Sequence, residues 1–280
     1  TITGGRDSGG IFGAEGAFGI FPYGFVLAAS IFIPTLQLTF VTGKAPFQKL
    51  SPIAAGIAMF VTVWALGLAQ YFFLLNWAEG PGRPPAPPVA GFGPIYALDW
   101  PAMLLGMLIL QMVFFLLLKG FPFNGIRNAG VRFVVVNVFT IGGGLLLHWA
   151  LRAVGMSDGQ ISALAGIITA AVVIIEILFD GWPFTGPDRA ATRLGKITLA
   201  AVITAALYAL LFAIGSIDYP NSPGTPPVEL WMAGTGLNLI AAWAIVHAAV
   251  FGRWPFRVAG AAAPPGPVPA ERSERQPVDG

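Results

Sequence analysis

Seven long apolar stretches, parted by short polar segments, fill almost the whole of this chain. Each is about 20 residues or longer, the length a helix needs to cross a hydrocarbon core about 30 Å thick. They run over Tyr23–Thr42, Pro52–Leu75, Trp100–Leu118, Val131–Ala153, Ile161–Phe179, Leu194–Gly215 and Leu230–Phe251. In lipid every backbone amide must find its partner within the protein, so spanning segments are helices or closed barrels. The alternating pattern of barrel strands is absent, which leaves helices. Charged residues make up only 10% of the chain, too few to cover a water-facing surface. The expected fold is an all-α integral membrane protein of seven transmembrane helices.

Basic residues set the expected orientation. One set of loops carries Lys44, Lys49, Lys119, Arg127, Arg132, Arg189, Arg193, Lys196, Arg253 and Arg257. The opposite set carries only Arg6, Arg83 and Arg152. Lys and Arg resist translocation, so the first set is expected in the cytoplasm, with the N-terminus outside and the C-terminus inside. A bacterial inner membrane is the expected location. Residues 1–22 form a polar, Gly-rich outer segment without the features of a signal peptide. Residues 23–256 form the membrane domain, and residues 257–280, rich in Pro, Ala and charge, form a disordered tail.

The same punctuation closes every odd span: Gly43 with Pro46 and Phe47, Gly120 with Pro122 and Phe123, Gly181 with Pro183 and Phe184, and Gly252 with Pro255 and Phe256. Gly suits the left-handed residue that ends a helix, and Pro beyond it prevents the helix resuming. The phenylalanines are expected at headgroup level. From Gly120 to Arg132 and from Gly181 to Arg193, six of thirteen positions are identical. Duplication of a two-helix unit accounts for this, giving a lone first helix and three parallel repeats over about 47–123, 124–184 and 185–256.

Ionisable groups inside spans are the strongest functional pointers in a membrane protein. Glu176 is the one carboxylate well inside a span, and it precedes Gly181 by five residues. His247 precedes Gly252 by the same interval, so the two are expected at equivalent depth, facing the bundle interior as a candidate polar site. Asn137 and Asn238 join them as candidates, and Gln37, Gln70 and Gln111 are also intramembrane amides. Amides in spans commonly bond one helix to another. His148 lies toward the outer end of its span, far from His247, which disfavours a bis-His haem or a His-rich metal site.

The chain has no cysteine, which excludes disulfides and thiolate-held metals. No nucleotide-binding loop, zinc motif or nucleophile elbow occurs, and the net charge of +2 gives no basic patch for nucleic acid. No catalytic residue, metal ligand or cofactor is assigned. The expected partners are the bilayer and other membrane subunits or further copies of the chain. The foremost expectation is a non-catalytic membrane subunit or scaffold of a larger complex. A small-solute or ion-coupled transporter is the alternative, and a membrane enzyme acting on a lipid or quinone-like substrate stands third.

Overall fold

A computed structural model describes residues 25–76, 93–97, 99–185, 189–218 and 228–251. The helices are α1 (Phe25–Leu36), α2 (Pro52–Ala69), α3 (Trp100–Leu110), α4 (Ala129–Ala153), α5 (Asp158–Val173), α6 (Ala190–Asp218), α7 (Val228–Gly234) and α8 (Ala242–Phe251). Several continue as wider π-helical turns: Gln37–Val41 after α1, Gln70–Leu74 after α2, Gln111–Leu117 after α3 and Ile174–Leu178 after α5. A further π segment, Thr235–Ala241, joins α7 to α8 in one span. Two short parallel strands, β1 (Leu75–Asn76) and β2 (Ile95–Tyr96), pair Leu75 with Ile95.

Six of these helices are long and apolar enough to cross a membrane, and the architecture is that of an all-α membrane protein. The first apolar helix, Val26–Val41, is shorter than the six. Two helices begin at a capping side chain upstream of the apolar edge. Asn128 accepts from the Val131 amide and starts α4 at Ala129. Ser157 and Gln160 form a capping box that starts α5 at Asp158. Helix α6 starts at Ala190, with Arg193 ahead of the apolar run from Leu194 and Lys196 just inside that run.

Two helices make the centre. In the spans Trp100–Leu117 and Asp158–Leu178, 72% of the most apolar window is buried, against 11% in Pro52–Leu74 and in Ala190–Ile217. Leu108, Leu117, Ile167 and Ile175 are among the largest fully buried side chains. Helix α3 packs against α4, α5 and α1, while α5 packs against α6, α7 and the π segment of the last span.

Glycines let the backbones approach. A Cβ on Gly144 would lie 2.6 Å from the Met107 Cα, so α4 crosses α3 in direct contact. A Cβ on Gly236 would lie 2.7 Å from the Gly166 carbonyl carbon, which marks the same kind of crossing between α5 and the last span. Small residues are the usual helix contact where lipid offers no hydrophobic drive to associate.

The packing groups the chain differently from the expected hairpins over 47–123, 124–184 and 185–256. The closely packed neighbours are α1 with α2, α3 with α4, and α5 with α6 and α7. Thus α1 with α2, α3 with α4 and α5 with α6 pair across the Gly/Pro turns, α4 and α5 of one expected hairpin touch little, and α6 and α7 of another do pack. The turns are tight, whereas the segment between α2 and α3 is long.

Candidate functional site

The three described turns share one geometry. Residues 43 and 44, 119 and 120, and 180 and 181 all have positive φ, with Gly43, Gly120 and Gly181 each filling one place of a pair. The following bonds, Ala45–Pro46, Phe121–Pro122 and Trp182–Pro183, are cis. Lys44, Gly120 and Gly181 each donate an amide hydrogen bond six residues back, to Leu38, Phe114 and Ile175. The Gln48 side chain donates to the Gly43 carbonyl at 2.7 Å, and Asn124 donates to the Lys119 carbonyl at 2.6 Å. The fourth motif, Gly252 with Pro255 and Phe256, lies outside the described residues.

The aromatic side chains of these turns differ in burial. Phe123 is buried and stacks on Phe115 with ring centroids 5.6 Å apart. Phe47 and Phe184 are half-buried. The exposed aromatics are those before the proline, Phe121 and Trp182. Phe123 packs between Phe115 before its turn and Phe139 after it, and the Phe184 ring lies against Gly195 of α6.

Glu176 sits in the π turn after α5 and is buried. Its Oε1 accepts from Lys196 Nζ at 2.6 Å, and its Oε2 lies 3.5 Å from Lys119 Nζ. Lys196 is buried with it, whereas the Lys119 side chain is 68% exposed. Gly181 makes room for the pair: a Cβ there would stand 3.2 Å from Lys196 Nζ. One helical turn before Lys196, the Arg193 guanidinium lies 3.6 Å above the centre of the Phe121 ring. So α6 reaches back to α5 and to the turn after α3 with two cationic side chains on one face.

His247 is half-buried on α8, which packs against the π turn that holds Glu176. The turn that follows His247 lies outside the described residues, so the expected equivalence of the two rests on sequence spacing. Aligned by the described turns, Glu176 corresponds to Phe115 and Thr39, seven residues before the proline, while His247 stands eight before Pro255.

Asn137 belongs to a second polar group, built by α1, α3 and α4. Gln111 Nε2 donates to Gln37 Oε1 at 2.8 Å, and Gln37 Nε2 donates to Asn137 Oδ1 at 2.9 Å and to Thr140 Oγ1 at 2.7 Å. Nearer the other end, Trp100 Nε1 donates to Ser30 Oγ at 3.1 Å. His148 is buried at that end, its Nε2 3.9 Å from Asp158 Oδ1, with Arg152 3.6 Å from the other carboxylate oxygen. Asn238, the remaining candidate, is exposed on the π segment of the last span.

Lys196 and Lys119 were not singled out as partners of Glu176. The signal was available in part: Lys196 lies in an apolar run, Leu194-Gly-Lys-Ile, on the helix that follows Glu176. Among the described residues no group of three or more His, Cys, Asp or Glu is placed to hold a metal ion. Chemically, the Glu176 site is a carboxylate shared by two ammonium groups, which suits a clamp between helices. No protein-family model, no curated protein and no solved structure matches this chain.

Proposed function

We propose that this chain is a non-catalytic, membrane-embedded subunit or scaffold of a larger membrane complex. The observation that carries the reading is the filled centre. Helices α3 and α5 occupy the axis where a path for a solute would run, and Leu108 and Ile167 are fully buried there. Polar cargo needs polar groups along its route. Here several of the buried ones bond neighbouring helices, as the Gln37–Gln111–Asn137 chain and the Glu176–Lys196 pair do.

The topology proposed with it has seven spans, the N-terminus outside and the basic turns in the cytoplasm of a bacterium, with the chain in its inner membrane. The excess of Lys and Arg on one set of loops supports this orientation. The recurrence of φ values and hydrogen bonds in three turns supports descent from a duplicated unit, in which a span, its turn and the next span repeat. A transporter remains the second reading, favoured by the buried charges at Glu176 and Lys196.

Purification from native membranes in mild detergent tests the main reading. Other membrane polypeptides should co-purify at fixed stoichiometry, and the purified chain alone in sealed vesicles should pass ions and small solutes no faster than empty vesicles. Flux above that background would refute the scaffold and favour the transporter.

A further inference from the structure

Five side-chain amides lie well inside the spans, and four of them are hydrogen-bonded to a neighbouring helix. Gln37, Gln111 and Asn137 bond one another, and Gln70 donates to the Ser30 carbonyl. Asn238 is the exception. It is exposed, and among the described residues its side chain makes no hydrogen bond.

Its depth makes this consequential. Asn238 is the eleventh residue of the 23-residue span Val228–Val250. At about 1.5 Å per residue it lies some 15 Å from either end, at the centre of a hydrocarbon core about 30 Å thick. Lipid tails offer no donor or acceptor, and an amide two bonds from the backbone is too short to reach water from there. The group therefore calls for a polar partner on another membrane segment.

The surrounding surface admits one. Gly234, four residues earlier, has no heavy atom within 4 Å of the position its Cβ would take, so its backbone is open on that side. Ala242, four residues later, is exposed and small. A second helix can come close along this line. Leu239, Trp243 and Val246, all exposed, flank it with apolar area.

We infer that the face of the last span centred on Asn238 is a homodimer interface, with Asn238 hydrogen-bonded to the same residue of a second copy. An amide carries both donor and acceptor, so it is complementary to itself. A two-fold axis through this point would satisfy both amides with reciprocal bonds. Glu229 lies at the outer end of the span, and no Asp, Glu, Lys or Arg occurs from Leu230 to Val250, so the part of the helix around Asn238 carries no fixed charge to repel its own copy. The inference deepens the scaffold reading and rests on its placement of this span in the membrane.

The chain contains no cysteine, so single substitutions report cleanly. In membranes carrying the full chain, Ala242→Cys should give a disulfide-linked dimer on copper–phenanthroline oxidation, and Ile57→Cys on exposed α2 should not. In lipid nanodiscs, Asn238→Leu should raise the dimer dissociation constant roughly tenfold, the scale of one or two interhelical hydrogen bonds, and Asn238→Gln should largely retain dimerisation. At a dilution where the wild type is also monomeric, the melting temperature of Asn238→Leu should match it. Equal cross-linking at Ile57→Cys, or equal dimerisation of Asn238→Leu and wild type, would overturn the inference. Cross-linking of Ala242→Cys to a different polypeptide would also overturn it, yet leave the subunit reading standing. Solute flux through an intact dimer would do the reverse.

Discussion

Replacing Glu176 with Gln should destabilise the protein mainly through Lys196, and a double-mutant cycle can show it. The substitution keeps the shape and removes the charge. Lys196 is 7% exposed and would be left as a buried ammonium without a counter-charge. Breaking a buried pair by removing one partner costs about 3–5 kcal/mol. Lys196 stands six residues into α6, about 9 Å from its start, so its stem can extend part of the way to water. That places the expected loss near the lower bound, about 3 kcal/mol. Lys119 adds little, because its side chain is 68% exposed and an ion pair with an exposed partner contributes about 0–1 kcal/mol. Pairing Glu176→Gln with Lys196→Met removes both buried charges and should restore most of the loss. The assay is equilibrium unfolding in mixed micelles of mild detergent and dodecyl sulfate. The coupling of Glu176 with Lys196 should be about 2–4 kcal/mol, and that with Lys119 below about 1 kcal/mol. Equal couplings, or one near zero for Lys196, would refute the buried clamp.

Two further outcomes follow from packing and charge. Gly144→Leu should destabilise the bundle by at least about 1–3 kcal/mol in the same assay, because its side chain would enter the Met107 backbone, whereas Gly142→Leu, with open space beside it, should be nearly neutral. Cysteines placed singly at Thr185 and Ser222 should react with an impermeant maleimide from opposite sides of the membrane, Thr185 from the cytoplasm. Labelling from one side would refute the proposed topology.

The helical class was legible in the sequence because hydrocarbon imposes one rule along the whole span: about 20 apolar residues with an internally bonded backbone. Helix starts were less legible, since capping is decided by single polar residues such as Asn128 and Ser157, which a hydropathy reading leaves in the loops. Helix pairing was not legible. In lipid, apolar side chains are as content with tails as with each other, so the pattern of Leu and Val carries little about neighbours. The contacts are set by points where backbones can touch, and Gly144 on Met107 is such a point. Among the adjacent Gly142, Gly143 and Gly144, only the structure tells that Gly144 meets the α3 backbone, Gly143 the Leu110 side chain and Gly142 open space.

The polar candidates show the same division from the other side. The intramembrane amides, Glu176 and the histidines stood out in the sequence, but their partners depended on which helices meet. Glu176 found Lys196 on the next helix, and Asn137 found Gln37 a hundred residues away. Once these are paired, the clusters tie the centre to its neighbours at successive depths: Glu176 at the basic end, the Gln37–Gln111–Asn137 group deeper in, and His148 near Asp158 at the far end. All of them involve α3, α5 or the turns and helices beside them. The outward sides of α2 and α6 are apolar surface that lipid alone can cover. The last span differs, because its outward side holds an amide at mid-depth that lipid cannot satisfy. A scaffold must present at least one surface that prefers protein to lipid, and on the described surface Asn238 marks where such a preference has a physical cause.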